Sequence, residues 1–160
     1  MARRERPSTI IRPADGSDRG EVERIVRDAY AKYIERIGKK PGPMLDDYAR
    51  LIADGAVWVA AEGARLLGVL VLLAESDHML LDNVAVAPAA QGTGLGRKLI
   101  SFAENEAARR GFGEIRLYTH QLMHENIEMY PRLGYEETGR GEQAGYARVF
   151  YRKRLASPAA

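Results

Sequence analysis

The chain has 160 residues, 46% apolar and 29% charged, and its 24 basic and 22 acidic residues leave a net charge of +2. That length supports one domain with a sizeable core, and the balanced charge argues against nucleic-acid and membrane-surface partners. With no cysteine, disulfides, thiolate metal sites and thiol catalysis are excluded.

Met1–Pro7 is Arg-rich and reads as a frayed end. The opening MARRERPSTIIRP has no apolar run of the kind a secretory signal needs. No window approaches the ~18 apolar residues of a membrane span, so a cytoplasmic protein is expected. Thr9–Arg12, β-branched and stopped by Pro13, predicts a first strand. Asp15, Ser17 and Asp18 offer caps for a helical pattern through Val22, Ile25, Val26, Ala29, Tyr30, Tyr33, Ile34 and Ile37. It is one long helix, or two with a break, ending at Gly38. After the rigid turn Lys39–Pro43, the residues Leu45, Tyr48, Ala49, Leu51 and Ile52 predict a shorter helix that stops near Gly55. Val57–Glu62, Leu66–Ala74 and Met79–Ala87 read as three strands joined by short turns, an antiparallel meander. They are apolar at nearly every position, which predicts helices on both faces of the sheet.

Beyond Met79–Ala87 the pattern changes. Pro88 stops the strand, Gln91-Gly92-Thr93-Gly94-Leu95-Gly96 follows, and a helix opens on Arg97 and Lys98. Leu95, Leu99, Phe102, Ala103, Ala107 and Ala108 share one face of that helix, which ends at Gly111. A glycine turn feeding a helix N-terminus gathers backbone N–H groups that face an anion. Glycine lets a phosphate approach the backbone, and the helix dipole adds about half a positive charge. Two common phosphate loops fail on spacing. A P-loop needs Gly-Lys-Ser/Thr where Gly96-Arg97-Lys98 stand. A Rossmann turn needs its third glycine at Leu99.

Glu114–Thr119 predicts the next strand, parallel to Met79–Ala87 through a right-handed helical crossover. His124–Leu133 reads as a short helix stopped by Gly134, Tyr135–Gly139 and Tyr146–Leu155 as a closing antiparallel pair, and Ala156–Ala160 as a disordered tail. His120 and His124 have the spacing of a helical metal pair, but no third ligand is apparent, so no metal is expected.

Two motifs carry a resemblance. Gln91, Gly94 and Gly96, following Val84-Ala85-Val86-Ala87-Pro88, satisfy Gln/Arg-x-x-Gly-x-Gly. This resembles the coenzyme A loop of the GCN5-related N-acetyltransferase (GNAT) family. Tyr130-Pro131-Arg132-Leu133-Gly134-Tyr135 looks like the family's Tyr-x-x-Leu-Gly-Phe/Tyr element. The element order β-α-α-β-β-β-α-β-α-β-β is also the family's, so the resemblance covers nearly the whole chain, from about Thr9 to Leu155. It implies an α/β (α+β) fold: a single GNAT-like domain over residues 8–156, with a mixed, mostly antiparallel sheet of about seven strands and helices on both faces.

The resemblance also implies site roles. The amides of Gln91, Gly92, Thr93, Gly94, Leu95, Gly96 and Arg97 would hold the pyrophosphate of acetyl-CoA, the cosubstrate. The side chains of Arg97 and Lys98 fit a solvated helix face equally well. Pantetheine would pair with Val84, Ala85 and Val86 between two diverging strands, with the Val84 N–H as oxyanion donor. Tyr130 would be the general acid that protonates the departing thiolate, since a phenol with a pKa of ~10 still carries its proton at neutral pH. Many relatives carry an asparagine seven residues before that tyrosine, where this chain has Met123. Asn126, one helical turn before Tyr130, is the remaining amide able to contact pantetheine or the acetyl group. Tyr30, Tyr33, Arg36 and Tyr48 fall where the family often builds its acceptor pocket. The proton taken from the amine has five candidate acceptors: Asp82, which by period two shares a face with Val84 and Val86, and Glu75, Asp77, His120 and His124.

The implied activity is transfer of acetyl from acetyl-CoA to a primary amine by direct attack in a ternary complex. The acceptor is a small-molecule amine or a peptide or protein amine. The alternative from another class is an acyl-CoA-binding sensor or interaction module without turnover. A homodimer pairing through Arg148–Tyr151 is the expected assembly; neither nucleic acid nor membrane is an expected partner.

Overall fold

The computed structural model describes residues 8–156, so the expected frayed end at Met1–Pro7 and the tail from Ser157 lie outside the described residues. Seven strands form one sheet in the order β1-β2-β3-β4-β5-β7-β6. They are β1 (Ile10–Pro13), β2 (Val57–Glu62), β3 (Arg65–Ala74), β4 (Met79–Val86), β5 (Glu114–His120), β6 (Glu136–Gln143) and β7 (Tyr146–Arg154). Every neighbouring pair is antiparallel except β4 with β5, which run parallel as their helical crossover requires.

Helices cover both faces. On one, α1 (Arg19–Ile37) and α2 (Tyr48–Ala53) set Val22, Ile25, Val26 and Ile52 against Val57, Val59, Val69 and Val71. On the other, α3 (Leu95–Arg109) and α4 (His124–Arg132) set Leu95, Leu99, Ile100, Ala103 and Tyr130 against Leu70, Leu72, Ile115 and Leu117. This double cover is why β3 is buried from Leu66 through Leu72 without alternation. The first helical pattern is one helix, ended by Gly38 in the left-handed conformation with its N–H donating to the Ile34 carbonyl.

Three expectations change. The second helix starts at Tyr48, because Asp47 caps it by accepting the Arg50 N–H at 3.2 Å. Gly42–Leu45 is a separate 3-10 turn, and Leu45 is 64% exposed. β6 runs to Gln143, past Gly139, which reads as its end; as an edge strand with a solvated, polar sequence it gives no alternation to follow. Finally, β7 has β5 on one side and β6 on the other. Its main chain is fully used, so the pairing of two copies through Arg148–Tyr151 has no free edge; the sheet edges are β1 and β6. Among the described residues, no helix is long and apolar enough to cross a membrane.

Gly68 fixes the seat of α3. A Cβ there would stand 2.9 Å from Leu99 Cδ1 and 3.3 Å from Leu95 Cδ2, so the helix rests on bare β3 backbone. That contact sets the N-terminus of α3 beside the end of β4.

Two irregularities then open the sheet at that end. The parallel ladder between β4 and β5 holds only Met79 to Ile115 and Leu80 to Arg116. Just past it, the β3–β4 register jumps from Leu72↔Leu81 to Val71↔Asn83, leaving Asp82 as the extra residue of a bulge. A bulge bends and over-twists its strand, which accounts for β4 leaving β5 at this point.

Candidate active site

The wedge between β4 and β5 widens into a cavity of about 540 Å³. It passes through the sheet: Tyr30, Tyr33, Asp46, Asp82, Asn83, Tyr118, His120, Tyr146 and Arg148 line it with Met123, Asn126, Met129 and Tyr130 of the α4 side.

The β4 wall has a readable hydrogen-bond parity. Ala87 donates to the Leu67 carbonyl at 2.8 Å. By antiparallel alternation Ala85, opposite Val69, spends its main chain on β3. Val84 and Val86, opposite Leu70 and Gly68, are the intervening non-bonded pairs, and their N–H and C=O groups point into the wedge. Side chains reach those two carbonyls: Gln91 Nε2 donates to Val86 O at 3.2 Å, and Tyr30 Oη stands 3.2 Å from Val84 O. Of the three strand residues expected to meet pantetheine, two therefore offer main-chain groups and Ala85 does not.

Beyond β4 the loop reaches α3. Gly92 and Gly94 adopt φ of 79° and 86°, the left-handed region where a Cβ is disfavoured. Thr93 Oγ1 donates back to the Ala90 carbonyl at 2.5 Å and pins the turn. Leu95 is buried and anchors the helix start, while Gly92, Thr93, Gly94, Arg97 and Lys98 are exposed. Among the described residues no side chain caps α3, and its first turn holds no acid. Lys98 is the first amide to bond within the helix, to Gly94 O at 3.2 Å. The amides of Leu95, Gly96 and Arg97 precede it and have no carbonyl one turn back. The result is an open, uncapped, positively polarised helix end. Gln91 and Gly96 also line the cavity, so the loop and the wedge are continuous.

Tyr130 stands on the α4 side, 6% exposed, with its ring 5.6 Å from Tyr135 and 5.8 Å from Tyr151. Its hydroxyl has no protein partner among the described residues. Burial, with smaller contributions from Tyr33 and Tyr151, pushes its pKa well above the ordinary phenol value. Asn126 Nδ2 donates to Thr119 Oγ1 at 3.1 Å, tying α4 to β5, and the residue lines the cavity. Met123 is buried at the start of α4 and accepts from Thr119 through sulfur.

The α1 side is a polar network. Tyr30 Oη donates to Asn83 Oδ1 at 2.6 Å, Asn83 Nδ2 to Tyr48 Oη at 3.0 Å, and Tyr48 Oη to the Pro43 carbonyl. It fastens α1 and the 3-10 turn to the bulge. Tyr33 and Arg36 meet on Glu125 of α4, at 3.1 Å each, and Arg36 also donates to Leu122 O. Tyr30 and Tyr33 line the cavity; Arg36 and Tyr48 do not, and serve as struts. The cation and the hydrogen bond hold the Glu125 carboxyl down, to about 2.

The bulge also corrects the face of Asp82. Leu81, Val84 and Val86 pack on the α3 core, whereas Asp82 joins Asn83 on the α1 face, so period two fails at this one residue. Tyr118 Oη donates to Asp82 at 3.1 Å. Desolvation raises the Asp82 pKa against that bond, and desolvation together with the Asp82 charge raises Asp46 to about 6. His120 Nδ1 accepts the Leu122 N–H at 3.0 Å, which leaves the neutral ring's proton on Nε2. That ring is a donor to the cavity rather than a base, and burial keeps its pKa low. Glu75, Asp77 and His124 stay off the cavity.

Sequence reasoning missed Asn83, Asp46, Tyr118, Tyr146 and Arg148. A lone asparagine inside an apolar strand was a signal for the first. Arg148 alternates with Tyr146 and Phe150 along β7, which marks a shared face, but the cationic run at Arg152, Lys153 and Arg154 hides it.

Comparisons with known proteins agree with this architecture. The Escherichia coli (strain K12) uncharacterized N-acetyltransferase YjgM is 28% identical over 138 residues, covering 81% of this chain and 83% of its own. Rat N-acetyltransferase family 8 member 3 is 27% identical over 88 residues, 51% of this chain; the match spans only 39% of that relative's length. The Thermoplasma acidophilum PaiA N-acetyltransferase, solved with coenzyme A, superposes with a TM-score of 0.76 at 16% identity, covering 92% of this chain and 99% of that one. Salmonella typhimurium yncA, solved with its cofactor acetyl-CoA, gives 0.70 at 24% identity over 96% and 97%. These structures show the shared fold. A family model described as the acetyltransferase (GNAT) domain matches residues 53–137, from α2 across the glycine loop and α4. That match takes in more than half of the chain, and the chain belongs to the GNAT family of acetyltransferases.

Proposed function

We propose that the protein transfers an acetyl group from acetyl-CoA to a primary amine by direct attack, with both substrates bound together. The observation that carries this reading is one continuous track. An uncapped α3 N-terminus leads to the outward-facing main chain of Val86 and Val84, and the unpartnered Tyr130 hydroxyl stands across the wedge.

The residues present fit coenzyme A. A diphosphate suits the amides of Gly92 to Arg97 and the helix dipole, and the amides of pantetheine suit an open strand edge. When bound, acetyl-CoA supplies the activated thioester. The Val84 N–H, in the wedge, donates to the acetyl oxygen as negative charge gathers there. Tyr130 holds a proton at Oη and delivers it to the departing sulfur. Asp82, held by Tyr118, is the carboxylate on the acceptor side and takes the amine's proton directly or through water. With no cysteine in the chain, an acyl-thioenzyme route is closed.

The test pairs calorimetry of coenzyme A binding with thiol release from acetyl-CoA against a panel of primary amines. The absence of cysteine gives a thiol reagent no background. Saturable binding with amine-dependent release supports the proposal. Tight binding with no release for any amine class makes the protein a sensor and refutes it.

A further inference from the structure

Arg148 enters the acceptor side of the cavity from β7, two strands from β4 and only 7% exposed. Its guanidinium lies between two rings, 4.6 Å from the Tyr118 centroid and 4.7 Å from that of Tyr146. Among the described residues no carboxylate comes within 4.0 Å of it, and none of its nitrogens donates to a protein acceptor. Nε is sealed from solvent without a partner. Gly42 covers the other end: a Cβ there would stand 3.3 Å from Nη2.

A buried guanidinium is costly unless its charge and its five donors are matched. Aromatic faces offset part of the charge but accept none of the planar hydrogen bonds. Every other buried or half-buried cation near the site has its anion or carbonyl, as Arg36 has Glu125 and Lys153 has Glu104. Arg148 is the exception: Asp46 and Asp82 act on it only as more distant charges, neither within 4.0 Å, and it lines the space an acceptor must fill. A carboxylate matches its fork in shape and charge.

We infer that the acceptor is a small amine that also carries a carboxylate, which Arg148 binds while the amine lies toward the wedge between β4 and β5. This rests on the proposed acetyl transfer. The rings of Tyr118 and Tyr146 and the Gly42 backbone enclose the guanidinium, which fits a small molecule better than a protein surface. The strand separation, about 10 Å for two strand spacings, leaves both α- and ω-amino acids within reach.

The experiment measures kcat/KM for α- and ω-amino acids against their amides and their decarboxylated amines, in the wild type and in Arg148→Gln, Arg148→Lys and Gly42→Ala. The expected result is a preference of about a hundredfold or more for carboxylate-bearing amines. It should collapse to within a few-fold in Arg148→Gln and recover in part in Arg148→Lys. Gly42→Ala, which presses on Nη2 without removing the charge, should raise KM for the carboxylate class selectively. Coenzyme A affinity and melting temperature, read in parallel, show that each variant is folded and separate this inference from the cofactor reading. Coenzyme A binding with equal turnover of carboxylates and their decarboxylated amines would overturn the inference and leave acetyl transfer standing. So would an unchanged preference in Arg148→Gln.

Discussion

Replacing Tyr130 with phenylalanine isolates one proton. The ring contacts with Tyr135 and Tyr151 at 5.6 and 5.8 Å survive the change, and the lost hydroxyl leaves no protein group without its hydrogen bond among the described residues. Stability should therefore move by less than about 1 kcal/mol. The chemistry should not be spared. A positioned general acid contributes about 10²–10⁴ in rate, or about 3–5 kcal/mol of barrier at 1.36 kcal/mol per decade. The loss should appear in kcat, with KM for acetyl-CoA unchanged, since the hydroxyl makes no contact with the glycine loop. Because burial raises the Tyr130 pKa, the wild-type rate should show no basic limb from this residue below about pH 10. The assay is continuous thiol release on a chain with no thiol of its own, with the melting temperature as control. A folded Tyr130→Phe protein that retains wild-type kcat would refute the assignment.

Other consequences follow from the same geometry. Gly94→Val forces a β-branched residue to φ near 86° at a cost of about 1–2 kcal/mol; KM for acetyl-CoA should rise tenfold or more while KM for the amine stays put. Gly68→Ala sets a Cβ 2.9 Å from Leu99 Cδ1; overpacking of about 1–3 kcal/mol should lower the melting temperature by about 2–10 °C and weaken coenzyme A binding by shifting α3, whereas an unchanged melt would show that α3 is not seated there. Glu125, held near 2 against an ordinary 4.5, contributes stability that is fully present above pH 4.5 and is lost as pH falls through 2. Since Arg36 and Glu125 are 34% and 51% exposed, Glu125→Gln should cost only about 0.5–1 kcal/mol at pH 7, and chemical denaturation should show that difference shrinking steadily below pH 4.

Much of this fold is legible because each signal is local. The helical spacing from Val22 to Ile37, the meander of apolar strands and the proline–glycine passage into α3 all announce themselves within one element. What the sequence hides is set by neighbours. Asp82 reads as a period-two partner of Val84, and only the mismatch with β3 at Val71 and Leu72 moves it to the other face. The wedge is a missing ladder, and an absent hydrogen bond leaves no mark on a strand's composition. Arg36 has the residue type of a pocket cation, yet Glu125, 89 positions away, claims it. Arg148 is the converse: a cation in a basic stretch whose isolation appears only once Tyr118, Tyr146 and Gly42 converge on it.

In the proposed complex a diphosphate sits on the amides entering α3 while an amide chain lies along the open edge of β4. Titrating ¹⁵N-labelled protein with coenzyme A and following every backbone amide tests it residue by residue. Saturable shifts should concentrate at Gly92–Arg97 and at Val84 and Val86, with Ala85, turned toward β3, moving less. Saturation with those amides unmoved, or with the largest shifts elsewhere in the protein, would contradict it.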